Sequence, residues 1–284
     1  MDGSQIRLPD TEAVRETFGT QRYTKGKTDA MEGEHPYALA SVLYDVLNRV
    51  ALDATLARTD AYEVDVCIDH LVHTRAGNLL VMDRNDPSYR MLAELHRRER
   101  DFVIRCSKGS FAPVRRMLGG AGAESQIVTL HPCAQQVVDL RQRALPLALT
   151  VRFVRVRLKT GEWEVLITSL LDETCYPAHE FGALYRWHWG VETFYGLLKT
   201  RLNLENFSGT QPEAVKQDFF ATVYLCDLEL RLTQTAQAHL DAKNTRYTQK
   251  VSRAVSFNTI KNQALALLMN ETNTESLLAP VHKA

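Results

Sequence analysis

The chain has 284 residues, 45% of them hydrophobic, enough for one large domain or two smaller ones around a sizeable core. Lysine plus arginine and aspartate plus glutamate stand at 34 each, so no global field draws the chain towards nucleic acid, and any such contact must come from local patches. No run of about 18 apolar residues offers a membrane span, Met1-Asp2-Gly3-Ser4 is not a secretion signal, and the five cysteines lack zinc-ligand spacing, which together imply reduced thiols in a cytoplasmic protein with no membrane partner.

Residues 38–57 read as two apolar runs of strand length meeting at Asn48-Arg49, the pattern of a hairpin. Residues 60–73 have helical spacing, and Asn78 to Met82 is a short apolar run typical of a strand buried on both faces, with Asp83 at its C-terminal end. Pro87 and Ser88 open a helix over 88–98, and Asp101 to Cys106 is a further strand. Strand, helix, strand predicts a parallel pair with a right-handed crossover. Ligands in such sheets sit beyond the carboxyl ends of the strands, where Asp83 falls.

From 109 to 175 the texture changes. Gly119, Gly120 and Gly122 interrupt the chain, Val151 to Leu158 alternates imperfectly, and Trp163 to Leu170 follows Gly161, as in an antiparallel β region. Arg152, Arg155 and Arg157 fit a wet sheet face better than a basic surface for DNA, because alternating charge keeps one face of a sheet in water. After Pro177 the chain turns helical, a longer helix covers Glu213 to Leu240, and the polar stretch 241–284 reads as a peripheral tail.

The segment 185–199 carries the chemistry. At about 3.6 residues per turn, Tyr185, His188, Glu192 and Lys199 share one side of a helix, while Leu184, Trp187, Val191, Phe194 and Leu198 line another and predict a core position for Trp187. A carboxylate flanked by an aromatic and basic side chains suits metal-dependent phosphoryl transfer, and it is equally the look of a solvated helix face. Asp2 ahead of Gly3-Ser4, Asp83 and Glu192 form a set of three acids able to hold two divalent cations about 3.5–4 Å apart. Mg2+ suits such oxygen donors, with Mn2+ as a substitute. Spacing alone does not single these three out among 34 acids. His35, His70, His73 and His96 show no ligand pattern and read as surface or supporting residues.

Several segments, in this order, resemble the DDE transposases of bacterial insertion sequences, from the IS-four-type branch that carries a YREK signature. Asp2 to Asp10 with Phe18-Gly19 resembles that family's first aspartate block, and Ser41 to Asp45 through Asp53-Ala54 resembles the hairpin that follows. Met82-Asp83-Arg84 with Pro87-Ser88-Tyr89 resembles the second aspartate block. Tyr185, Glu192 and Lys199 keep the spacing of the signature helix, and Leu202 to Gly209 resembles its continuation. The resemblance implies an α/β fold with an RNase H-like catalytic core: a first part at 1–108, an antiparallel β insertion at 109–175 before the last catalytic helix, a helical second part at 176–240, and the tail 241–284. It implies Asp2, Asp83 and Glu192 as catalytic ligands of Mg2+, and Tyr185, His188, Lys199 and Arg84 as contacts to DNA, with Lys199 favoured for phosphate. The reaction implied is cleavage at transposon ends and strand transfer into double-stranded target DNA, by a homodimer assembled on that DNA in the bacterial cytoplasm.

The chain departs from the resemblance at three places. His188 stands where the signature has arginine, Asn85-Asp86 replaces a Gly-Tyr pair beside Asp83, and only one residue precedes the first aspartate. The chain therefore reads as N-terminally shortened, with Asp2 on an end expected to fray. The alternative to an active enzyme is a catalytically inactive remnant that only binds DNA or dimerises.

Overall fold

The computed structural model describes residues 1–23, 33–83, 87–158, 160–243, 247 and 249–260. Asp2–Arg7 forms β1, followed by α1 (Glu12–Phe18) and β2 (Thr20–Tyr23). The Thr11 hydroxyl accepts from the Val14 amide and caps α1, and Gly19 turns the chain out of the helix at φ 83°, a conformation open to glycine. Next come β3 (Gly33–Asp45) and β4 (Val50–Arg58), the hairpin that the sequence predicts. β3 is buried along most of its length because β1 pairs with one edge, Asp2 opposite Val42, and β4 with the other. At the turn the Asp45 carboxylate accepts from the Leu47 and Asn48 amides, and Arg49 takes a left-handed φ of 59°.

Beyond β4, α2 (Glu63–His70) runs into a 3-10 turn at Leu71–His73. Then come β5 (Leu79–Met82), α3 (Tyr89–Arg97) and β6 (Asp101–Arg105), with β5 and β6 parallel as expected. The chain goes on through α4 (Ala112–Leu118), β7 (Ser125–Leu130), α5 (Ala134–Gln142), β8 (Leu149–Arg157) and β9 (Trp163–Thr168). Each of these last three strands is antiparallel to its neighbour in the sheet, but they do not stand apart as an inserted unit. Their sheet has the order β5-β6-β9-β8-β7, so the region continues the parallel pair, and it carries α4 and α5, which no periodicity in the sequence announced. The joining strand explains this. β9 buries Val165, Leu166 and Ile167 in succession, which a strand does only inside a sheet covered on both faces.

The two sheets meet at the start of the chain. The Met1 ammonium donates to Val81 O of β5 at 3.0 Å, and the Met1 side chain is buried in the core with Leu80 and Met82. The expectation of a frayed Asp2 therefore fails, because β3 pairing and this end contact hold it. A 3-10 turn at Ala178–Glu180 then leads to α6 (Phe181–Tyr185), a second 3-10 turn at Arg186–His188, α7 (Trp189–Gly196), a π-turn at Leu197–Arg201 and α8 (Pro212–Asp241). α7, the π-turn and α8 set Val191, Phe194, Leu198, Val215 and Phe219 against Ile6, Ala38 and Val42 of the first sheet. Among the described residues no helix is long and apolar enough to cross a membrane.

Two side chains depart from their expected places. Arg152 is 1% exposed rather than on a wet face, because α6 covers it: its guanidinium lies 5.2 Å over the Phe181 ring and donates to Tyr176 O and Ser125 Oγ. His70 is fully buried, with Nδ1 2.6 Å from Asp53 Oδ2 and Nε2 3.0 Å from Ser41 Oγ, which bolts α2 to the hairpin. Those partners suit a neutral ring that donates from Nδ1 and accepts at Nε2. Burial, the largest influence, pulls the His70 pKa below its ordinary value, against the Asp53 carboxylate that raises it.

Replacing His70 by alanine orphans both partners, and urea unfolding at neutral pH should report a loss of about 2–3 kcal/mol. A depressed folded pKa means that the unfolded chain takes the proton first. The His70 contribution is therefore full above about pH 6.5 and shrinks below it, so the gap between wild type and His70→Ala should narrow on acidification.

Candidate active site

The segment 181–201 lies against both β1 and the end of β5, and its polar side chains tie it to each. The Tyr185 hydroxyl donates to Asp83 Oδ1 at 3.0 Å. The Tyr195 hydroxyl lies 2.9 Å from both Asp2 O and Ala40 O, sharing one proton between two main-chain acceptors. Lys199 Nζ donates to Gln5 O at 2.6 Å and Ser4 Oγ at 2.9 Å. Burial raises the pKa of both phenols well above the usual value, which keeps them as donors, and burial lowers that of Lys199.

Local helix geometry decides which residues face the acids. In a 3-10 turn, residues three apart eclipse one another. The Tyr185 and His188 rings accordingly stack, with centroids 5.6 Å apart and planes at 9°. The even helix expected over 185–199 would have buried Trp187, but the tightened turn leaves it 51% exposed, with Trp189 61% exposed beside it. His188 is 3% exposed, and burial pushes its pKa down to about 4. A neutral, enclosed imidazole is no phosphate-gripping cation, whereas its Nε2 lies 3.8 Å from Glu192 Oε1. Lys199, too, is turned towards β1 in this structure. Arg84 lies outside the described residues.

The three acids share one electrostatic neighbourhood. Burial raises Asp2 to about 7, with the carboxylates of Glu63 and Asp83 adding to the rise and the Met1 ammonium and the Gly3 amide opposing it. Glu192 is also raised, first by burial and then by Asp83. Asp83 thus acts on both others. Among the described residues it pairs with Arg105, whose Nη1 stands 3.8 Å from Asp83 Oδ1 while Nη2 lies 2.6 Å from Glu164 Oε1. Among the described residues, no three His, Cys, Asp or Glu side chains are grouped closely enough to hold a metal ion. The donor chemistry nonetheless fits a hard divalent cation, since carboxylate oxygens are the ligands it favours and burial and Asp83 raise the pKa of both Asp2 and Glu192.

A cleft of about 690 Å³ opens beside Asp83, Tyr185 and Glu192; Asp2 is not among its lining residues. Its other wall carries Arg105, Arg155, Arg157 and Glu164. Arg155 and Arg157 place their guanidiniums 4.5 Å and 5.5 Å from the Trp163 ring centroid, held by cation–π attraction. Sequence reasoning gave these two arginines no role, and it missed Tyr195, Arg105 and Glu164. Tyr195 had a signal, since it follows Glu192 by nearly one helical turn. Arg105 and Glu164 had none, because only the pairing of β6 with β9 brings them together.

Residues 1–226 match the family described as Transposase DDE domain. The chain belongs to that family. No curated protein matches this sequence. In fold the DDE domain is similar to a piggyBac transposase, solved by cryo-EM as a synaptic complex with hairpin DNA, with a TM-score of 0.55 and 8% identity. The match covers 99% of this chain and 55% of that one, so the chain spans about half of that transposase's length. At such low identity the likeness is one of fold.

Within this DDE domain, Tyr195 is the bond between the helix of Glu192 and the strand of Asp2. Tyr195→Phe keeps the ring and strips two buried carbonyls of their donor, so urea unfolding should show a loss of about 1–3 kcal/mol. Amide exchange at β1 should quicken with it, while β6 is unaffected.

Proposed function

We propose that this DDE domain is the catalytic core of a DNA transposase that cuts transposon ends and joins them to target DNA by in-line phosphoryl transfer. The observation that supports the reading is that Asp83 acts electrostatically on both Asp2 and Glu192, while Asp83 and Glu192 line a cleft that also carries arginines. The finer assignment, to the IS-four-type branch with its YREK signature, rests on the spacing of Tyr185, Glu192 and Lys199.

In this reading Asp2, Asp83 and Glu192 hold Mg2+, for which Mn2+ substitutes, and the bound ions supply activation of the attacking oxygen and stabilisation of the leaving one. Tyr185 fixes the orientation of Asp83 through its 3.0 Å hydrogen bond. Arg105 spans Asp83 and Glu164 and limits the repulsion among the acids. Arg155, Arg157 and Arg186 line the cleft and are placed to take phosphates of double-stranded DNA, which a neutral His188 cannot do. A homodimer assembled on the two transposon ends would complete the reaction.

The decisive assay is Mg2+- or Mn2+-dependent strand cleavage of DNA carrying the ends that flank the gene. Wild type should cleave, and Glu192→Ala should lose about three orders of magnitude or more without losing DNA affinity. Folded wild-type protein that binds this DNA without cutting it would instead establish the second reading, an inactive remnant, which the lack of a ready three-acid metal cluster among the described residues favours. Replacing Arg155 and Arg157 together by alanine should flatten the salt dependence of duplex binding, by about 0.9 in logarithmic slope for each phosphate no longer neutralised.

A further inference from the structure

α8 is apolar on two sides. Its inner stripe, Val215, Phe219, Val223 and Cys226, is buried against the first sheet. Its outer side carries a second stripe, in which Glu213, Gln217, Phe220, Tyr224, Leu228 and Arg231 follow one another at intervals of three and four residues and so share one face. Phe220 is 46% exposed and Tyr224 60% exposed, and Leu228 is half-buried. Single apolar side chains on a surface are ordinary, whereas two large aromatics one helical turn apart, with a leucine a turn further on, make a continuous patch.

The two ends of this stripe carry opposite charge, about 27 Å apart along the helix axis. At one end stands Glu213, whose side chain is 82% exposed and forms a surface pair with Lys216 at 2.7 Å. At the other stands Arg231, also exposed. The order acid, aromatic, aromatic, base is its own complement when reversed. A second α8 laid antiparallel, about a two-fold axis level with Thr222, sets Phe220 against the partner's Tyr224, Tyr224 against the partner's Phe220, and Glu213 against the partner's Arg231 at both ends. Parallel pairing fails, because it sets Glu213 on Glu213 and Arg231 on Arg231.

We infer that the outer face of α8 is a two-fold dimer surface, on which a second copy of this chain packs antiparallel, with Phe220 and Tyr224 interleaved and a Glu213–Arg231 pair at each end. The inference stands without the transposase reading and adds a contact between copies that needs no DNA. Such a contact buries little more than one helix face on each copy, at the low end for a specific interface, so association belongs in the micromolar range.

The test is sedimentation equilibrium of the full chain without DNA, over about 1–100 µM. Wild type should pass from monomer to dimer across that range. Phe220→Ala with Tyr224→Ala should weaken association about 10- to 100-fold, the worth of two aromatic pairs and the apolar area beneath them, with the far-ultraviolet circular dichroism spectrum unchanged. Glu213→Arg brings like charges together at both ends and should weaken it about 3- to 10-fold, and adding Arg231→Glu should restore it. Damage to the fold does not produce such a rescue. A wild type that stays monomeric at about 100 µM would overturn the inference, whether the stripe lies in water or under residues 261–284. A double reversal that fails to restore association would overturn it too, as would a dimer indifferent to all these substitutions, which must meet at another surface. With no DNA in the experiment, any of these failures leaves the proposed cleavage activity to its own assay.

Discussion

The arrangement of this molecule depends on the attachment of one helical segment, residues 181–201, to two strands that come from distant parts of the chain. Tyr185 reaches Asp83, Tyr195 reaches the main chain of Asp2, and Lys199 reaches Ser4 and Gln5. Each bond is made where water is largely excluded, so each is stronger and more directional than on an open surface. Together they set where Glu192 stands relative to the two aspartates. A side chain on this segment can shift only if buried donors give up their acceptors, which costs far more than a rotamer change on a free helix.

The same burial creates the electrostatic character of the site. Desolvation lifts Asp2 and Glu192, and Asp83 adds repulsion to both, while Arg105 sets a positive charge beside Asp83. Such a group of acids stores unfavourable energy that a multivalent cation relieves. This is the physical argument behind the proposed three-acid site. The fold neighbour, at 8% identity, shares the architecture and can say little about individual side chains.

Around that centre the helical segment works as a partition. Its inner side carries Tyr185, His188 and Glu192, and its outer side carries Trp187 towards a second cavity, beside α8. The change of helical pitch at Arg186–His188 makes this division, because a 3-10 turn rotates side chains differently from an α-helix. A neutral His188 stacked on Tyr185 fills the inner side, where an arginine would bring charge. The positive charge available to a polyanion sits instead on Arg155, Arg157 and Arg186.

Local pattern settled a good part of this protein before any contact was known. The hairpin around Asn48-Arg49, the parallel pair flanking α3 and the long α8 were legible because period, turn residues and caps act within a few residues of one another. So was the position of Asp83 at a strand's carboxyl end, which ordinary sheet topology makes a ligand position. Tertiary structure alone decided the rest. It merged the supposed insertion into the β5–β6 sheet, paired Arg105 with Glu164, buried Arg152 and His70, and turned Trp187 outward. These outcomes depend on which surfaces meet, and a side chain's neighbours across a sheet or under a helix are set by contacts between distant segments, which no local spacing records.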